Sequence, residues 1–130
     1  MTTLTTTMKI ESWDEQPTQG FDDGSKVSRA DVVLQGAAEL GAGRSLSSLY
    51  YRPDGTSTFA VVMRVEATLD DHAGTIVLVG TGTYDGTTAV QELEIVEGTA
   101  GLAAITGTAR SGSTHEDYPN MPLELDYDLT

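Results

Sequence analysis

The sequence has no cysteine and very few basic residues. Without Cys, the 130 residues cannot form a disulfide framework or use thiolate chemistry. Only 7 Lys and Arg residues stand against 20 Asp and Glu residues, which gives a formal net charge of -13. This balance argues against nucleic acid and anionic membranes as partners, because both are bound through Lys and Arg. A solubilising surface explains the excess acid most simply, and a cationic partner is the alternative.

Long apolar runs and targeting signals are also missing. No apolar run approaches the ~20 residues that a membrane-spanning helix needs. The opening MTTLTTTMK lacks the apolar segment of a signal peptide, so the expected location is the cytoplasm. We expect residues 1–7 to form a flexible tail or an edge strand, and residues 8–130 to form a single domain.

Apolar and polar residues alternate over short segments, and no segment shows a long helical period. Runs rich in Val and Ile flank the polar residues 70–74, and branched side chains favour strands. The remaining strands are expected near residues 8–13, 29–40, 45–52, 87–94, 99–109 and 121–129, with long polar connections at residues 14–28 and 111–122. Eight short strands joined mostly by tight turns predict an all-β fold, a closed eight-stranded antiparallel meander barrel. A two-sheet sandwich is the alternative.

Two turns set the predicted pairing of the central hairpins. A turn centred on Asp71-His72 places Met63 opposite Gly80. A two-residue turn at Asp85-Gly86 places Gln91 opposite the same glycine. Glycine inside a strand often marks a place where something else comes close, so a gap is expected in the interior.

The turn Pro53-Asp54-Gly55 decides which tyrosine faces inward. A bulge at Gly55 would pair Leu49 with Phe59 and point Tyr51 into the interior. A two-residue loop would instead place Tyr50 inside, and the sequence leaves both arrangements open.

Several short segments together resemble a known family. They are SWDEQP at residues 12–17, Lys26 with Arg29-Ala30, Tyr51-Arg52 with Asp54-Gly55, Gly82-Thr83-Tyr84, and LDYDL at residues 125–129. This pattern is similar to that of a bacterial family of small proteins of unknown function with an allene oxide cyclase-like barrel. The resemblance covers nearly the whole chain from Met8. It implies an eight-stranded antiparallel barrel but supplies no reaction.

The departures from that family also bear on function. The resemblance aligns a Glu of the relatives with Met63 and a His with Gly80, and larger aromatic residues with Ser47 and Leu93. Gln91 replaces a small residue. A Glu–His pair could transfer protons, and this chain lacks it. The comparison therefore implies a roomier and more apolar interior.

We accordingly expect a central cavity that binds an apolar small molecule, although side chains filling the glycine gaps are the alternative. The predicted ligand-binding residues are Trp13, Ser47, Phe59, Val61, Met63, Leu78, Gly80, Gly82, Tyr84 and Leu93. Tyr51, Gln91 and Tyr127 are the catalytic candidates, because a phenol or an amide can polarise a carbonyl group.

The predicted function is a cyclase or isomerase that acts on an apolar polyene or polyketide-like intermediate without cofactor or metal. A non-catalytic binding protein for an apolar metabolite is the alternative, and a structural module with a filled core is the third possibility. Relatives with exposed strand edges often pair with a second copy, so the resemblance also suggests a homodimer.

Overall fold

The computed structural model describes residues 1–129 and contains eight strands and two short 3-10 helices. The strands are β1 (Thr2–Gly20), β2 (Lys26–Gln35), β3 (Leu40–Tyr51), β4 (Ser57–Leu69), β5 (His72–Tyr84), β6 (Thr88–Gly98), β7 (Thr106–Thr114) and β8 (Asn120–Asp128). The 3-10 helices span Ala100–Leu102 and His115–Asp117. Each strand pairs antiparallel with the next, and β8 pairs with β1, so that one sheet closes into a barrel-like ring. The predicted all-β antiparallel meander of eight strands is confirmed.

The long first strand closes the ring. Its residues 2–9 pair with β8, and its residues 9–20 pair with β2. Residues 2–7 therefore form a strand rather than a tail, and the predicted polar connection at residues 14–28 is wrong. Pro17 is tolerated because β1 pairs only with β2 at this level and a bulge separates Pro17 from Gln19.

The hairpin between β4 and β5 pairs two residues away from the predicted register. Asp70 and Asp71 both adopt positive φ angles, of 50° and 65°, so the turn centres between them. Met63 consequently pairs with Leu78, and Gly80 pairs with Val61. A shift of two residues keeps each side chain on its face, so the predicted interior residues remain inside.

The hairpin between β5 and β6 shows the same two-residue shift. The Asp85 carboxylate accepts hydrogen bonds from the backbone N–H groups of Thr87 and Thr88, at 2.9 and 2.8 Å. The turn thus centres one residue later than predicted, and Gln91 pairs with Gly82 instead of Gly80.

The turn between β3 and β4 follows the bulged arrangement. Gly55 has a φ of 90°, and the Arg52 N–H donates to the Thr56 carbonyl at 2.8 Å. Leu49 pairs with Phe59, as the bulge predicts. Tyr51 packs against the core, whereas Tyr50 is exposed. The sequence left open which of the two tyrosines faces the interior, and the structure shows that it is Tyr51.

Two further boundaries differ from the predictions. The predicted turn at residues 41–43 lies inside β3, and the chain turns earlier, at residues 36–39. A 3-10 helix precedes β7, and its Leu102 is fully buried. Leu102 lies close to Gly74, at the same end of the ring as the turn between β4 and β5. The core fills the ring with alternating apolar side chains from all eight strands.

No helix within residues 1–129 has the length and apolar character that crossing a membrane requires.

Candidate functional site

The glycines at the centre of β5 do not mark a hollow. A Cβ atom at Gly82 would overlap the ring of Phe59, its direct partner on β4. A Cβ at Gly80 would overlap the backbone of β6 at Glu92 and Leu93. The aromatic ring of Phe59 and the backbone of β6 therefore occupy the space that larger side chains would fill at these two positions. The prediction that the two glycines leave a cavity is wrong.

The predicted ligand-binding residues fall into two groups by their burial. Ser47, Val61, Met63, Leu78 and Leu93 are buried in the core. Phe59 and Tyr84 are half-buried, and Trp13 is 45% exposed although it pairs with the buried Val32. Trp13 thus lies on the inner side of β1 without filling the end of the ring.

Polar and aromatic side chains gather at one end of the ring, which we call the mouth. It consists of Trp13, Glu15, Lys26, Ser28, Tyr51, Ser57, Phe59, Tyr84, Gln91 and Ser111. Two successive rows of paired residues form most of it. One row runs from Lys26 to Tyr51, Ser57 and Tyr84, and the next runs from Ser28 to Leu49, Phe59, Gly82, Gln91 and Ser111. At the opposite end, Leu40, Leu69 and Leu102 are buried.

A carboxylate and two aromatic residues interact at the mouth. The indole Nε1 of Trp13 donates to Glu15 Oε1 at 3.1 Å. Burial raises the pKa of Tyr51, and the hydrogen bond to the Glu15 carboxylate and its negative charge raise it further. The ammonium of Lys26 lies 5.0 Å from the centre of the Tyr51 ring, within cation–π distance. Tyr51 therefore stays protonated at neutral pH beside an acceptor.

Ser28 carries the one buried side-chain polar atom within residues 1–129 that has no hydrogen-bond partner. The residue is 1% exposed, and its Oγ points to the inner side of β2. Ser111, in the same row of the mouth, shows the usual arrangement, because its Oγ donates to the Pro122 carbonyl at 2.5 Å. A buried hydroxyl without a partner costs about 1–3 kcal/mol and calls for an explanation.

Two of the three catalytic candidates lie at the mouth. Tyr51 ends β3, and Gln91 lies one row deeper with its Nε2 3.8 Å from Met121 Sδ. Tyr127 lies at the opposite end, where its hydroxyl donates to Asp70 Oδ2 at 3.3 Å. The 13-residue β4 separates the two ends, roughly 40 Å along the strand. Burial raises the pKa of Tyr127 first, and the negative charge of Asp70 adds to the effect.

A groove of about 510 Å³ crosses the outer face of β5, β6, β7 and β8. Its outward side chains include Glu92, Glu94, Arg110 and Asp126, and Arg110 forms an ion pair with Glu124 at 2.8 Å. This charged groove differs from the predicted apolar cavity in both position and chemistry. No group of three or more His, Asp or Glu residues in the described part of the chain could hold a metal ion.

The comparisons with known proteins add the family. A model for a protein family of unknown function, DUF3224, matches residues 4–127. The chain belongs to the DUF3224 family. A crystal structure of a DUF3224 protein of unknown function from Shewanella oneidensis MR-1 has the same fold, with a TM-score of 0.72, 16% identity and 99% of each chain covered. No curated protein matches the chain significantly.

The DUF3224 match confirms the expected family of unknown function, and the likeness to allene oxide cyclases stays a prediction. The sequence reasoning missed Glu15, Lys26 and Ser28, because it placed all three in a polar loop. One signal for Ser28 was present: it continues the two-residue spacing of Ala30, Val32 and Leu34, which face the interior.

Proposed function

We propose that the mouth binds a small, largely apolar molecule that carries a carbonyl or hydroxyl group. The unpartnered Oγ of Ser28 supports this proposal most directly, since a ligand oxygen there would satisfy a group that the chain leaves unpaired. Sites for small molecules combine apolar walls with a few polar groups of this kind.

The residues around Ser28 suit the two parts of such a ligand. The rings of Phe59, Tyr84 and Trp13 supply apolar surface that is still accessible to solvent. Gln91 belongs to the same row as Ser28 but comes from β6, so the two polar groups approach from different walls. A ligand oxygen near Ser28 would place its apolar chain against the rings.

Trp13 is the only tryptophan in the chain, so its fluorescence reports on the mouth alone. We expect 2-decanone and 1-decanol to change the emission saturably, and decane to bind more weakly because it cannot pair with Ser28. Ser28→Ala should weaken binding of 2-decanone about 5- to 30-fold, the equivalent of about 1–2 kcal/mol for one buried hydrogen bond.

Ser48→Ala, on the outer face of β3, is the matched control and should leave binding unchanged. Equal affinity for decane and 2-decanone, or for the parent and Ser28→Ala, would contradict the proposal. A linear, non-saturating response to all three probes would do so as well.

Isomerisation or ring closure is a second candidate, favoured by the position of Glu15. Glu15 is half-buried and is a diagonal neighbour of Ser28 across β1 and β2, a relation in which the two residues lie on the order of 7 Å apart. As a general base it would take a proton from the carbon beside a ligand carbonyl, whose oxygen would carry the enolate charge. Where a carbon–carbon double bond adjoins the deprotonated carbon, the proton would return to the far end of that double bond, the double bond would move next to the carbonyl group, and the product would be an isomer. Ring-forming members of allene oxide cyclase-like barrels make this chemistry consistent with the resemblance.

Exchange of the α-hydrogens of 2-decanone in D₂O, followed by NMR, tests that step. Glu15→Gln should slow the exchange by about 10²–10⁴-fold. Tyr51→Phe and Gln91→Ala should slow it less, because they remove contacts to the base and to the ligand. Glu97→Gln, on the outer face, is the control. If exchange never exceeds the uncatalysed rate while binding is retained, the chain is a binding protein.

A further inference from the structure

Glu15 is a carboxylate at the mouth that has no basic partner. The residue is half-buried, and neither of the two ion pairs within residues 1–129 includes it. Its hydrogen-bond donors are uncharged, because they are the indole of Trp13 and the hydroxyl of Tyr51. A partly buried charge is costly when no opposite charge lies beside it. The negative charge of Glu15 is therefore available to a cation from outside the chain.

The walls around this carboxylate are aromatic. Tyr51 and Tyr84 belong to one row of the mouth, Phe59 lies in the next row, and all three residues are half-buried. Trp13 lies two residues before Glu15 on the inner side of β1 and is 45% exposed. The faces of aromatic rings attract cations, and sites lined by several rings are typical of proteins that bind organic ammonium ions. Accessible rings beside a carboxylate without a counter-ion thus favour a ligand that carries an ammonium group.

The chain itself places one ammonium group at this end of the ring. Lys26 Nζ lies 5.0 Å from the centre of the Tyr51 ring, and Lys26 forms no ion pair with another described residue. Its positive charge would oppose a second cation nearby and would attract an anion. Removing it should therefore strengthen the binding of an ammonium ion and weaken the binding of a carboxylate. The sign of that effect distinguishes the two classes of ligand.

The turns around the mouth carry ionised carboxylates. Asp23, Asp54 and Asp85 lie in the turns that join β1 to β2, β3 to β4 and β5 to β6. Hydrogen bonds from neighbouring turn residues lower the pKa of each of these carboxyl groups. Arg52 is the only basic residue in the three turns, which span residues 21–25, 52–56 and 85–87. Clustered charges of one sign raise the local concentration of ions of the opposite sign, so cations are favoured at the mouth.

We propose that the ligand of the mouth is an organic ammonium ion, whose charged group binds to Glu15 among the aromatic rings while its apolar chain packs on them. This inference rests on the proposed function, because it names the class of small molecule that the mouth binds. The unpartnered Oγ of Ser28 would accept a hydrogen bond from the ammonium group or pair with a hydroxyl group of the same ligand. A bound ammonium ion would keep Glu15 from acting as a base, so this ligand class belongs with binding and not with isomerisation.

Three ten-carbon probes that differ only in their polar group test the charge of the ligand: decylammonium, 1-decanol and decanoate. Titrations followed by Trp13 emission should show that decylammonium binds about 10- to 100-fold more tightly than 1-decanol, the range for hydrogen bonds to a charged group. Decanoate should bind most weakly. Glu15→Gln should remove most of the preference for decylammonium and leave the affinity for 1-decanol unchanged, which also shows that the mouth is intact. Lys26→Gln should tighten the binding of decylammonium.

Asp14→Asn is the matched control for the charge of Glu15. It removes the same charge one residue away, on the outer face of β1, and should leave the preference for decylammonium unchanged. An equal loss of preference in Asp14→Asn and Glu15→Gln would overturn the inference, because the effect would then come from the net charge alone. Decanoate that binds as tightly as decylammonium would overturn it too.

The uncharged probe 2-decanone separates this inference from the proposed function. If 2-decanone binds with the dependence on Ser28 described above, while decylammonium binds no more tightly than 1-decanol, only the ammonium inference fails. If no probe changes the Trp13 emission saturably, the proposed function fails with it.

Discussion

Two buried serines in one row of the mouth should respond in opposite directions to the same substitution. Ser28 Oγ has no partner, whereas Ser111 Oγ donates to the Pro122 carbonyl at 2.5 Å. Replacing each with Ala removes one hydroxyl from a buried position, with a similar loss of packing. The hydrogen-bonding environment is then the main difference between the two variants.

The free-energy changes follow from the cost of burying an unpaired polar group. Ser28→Ala removes a desolvation cost of about 1–3 kcal/mol and leaves a small void, so we expect a net gain in stability of about 1 kcal/mol. Ser111→Ala leaves the Pro122 carbonyl without its donor, so we expect a loss of about 1–2 kcal/mol. For a chain of this length, 1 kcal/mol corresponds to roughly 3–5 °C in Tm.

Urea unfolding and thermal unfolding of the two variants, each compared with the parent, measure these changes. Ser48→Ala on the outer face should stay within about 0.5 kcal/mol of the parent. If Ser28→Ala lost as much stability as Ser111→Ala, the hydroxyl of Ser28 would have a partner in solution, and the main support for a ligand oxygen at this position would be gone. A variant that is more stable but binds 2-decanone less tightly would support both the stability argument and the proposed function.

Two further predictions concern the interior and the opposite end of the ring. Gly82→Val should destabilise the fold by about 1–3 kcal/mol in urea unfolding, because the new side chain would overlap the ring of Phe59, whereas Gly112→Val meets open space and should cost far less. Tyr127 has a pKa raised above 10.0, so its stabilising contribution is complete below pH 10 and is lost as the pH rises through its folded-state pKa. Tyr127→Phe should therefore flatten the fall of Tm above pH 10, and should cost about 0.5–1.5 kcal/mol at neutral pH by removing the bond to Asp70. An unchanged alkaline profile would contradict the second prediction, and equal losses for the two glycine variants would contradict the first.

The alternation of apolar residues was enough to predict which side chains face the interior. Met63, Leu78 and Leu93 were assigned correctly although both central hairpins pair two residues away from the predicted register. Side chains alternate with a period of two, so an error of two residues leaves the faces unchanged. The register itself depends on turn conformation, here the positive φ angles of Asp70 and Asp71, which alternation does not encode.

The mouth was harder to predict, because its residues come from parts of the chain that look like a loop. Pro17 argues against a strand, because proline has no N–H group to donate to a neighbouring strand. A strand is possible there because β1 pairs with β8 only as far as Lys9, and beyond that residue it pairs with β2 alone. Glu15 and Ser28 could not be recognised as neighbours until that pairing was known. Tyr127, by contrast, lies on a clearly alternating strand, but its distance from Tyr51 depends on the direction of the strands.

The sequence by itself determined the class of fold and the inner face of most strands, since the spacing of Val, Ile and Leu residues fixes which side of each strand is buried. Only the tertiary structure decided three further features. The space beside Gly80 and Gly82 is filled, Tyr127 lies far from the mouth, and the hydroxyl of Ser28 has no hydrogen-bond partner. Each of these depends on contacts between different strands, such as Phe59 of β4 over Gly82 of β5. The physical reason is that alternation is a local property of one strand, whereas register and contact depend on how several strands pair.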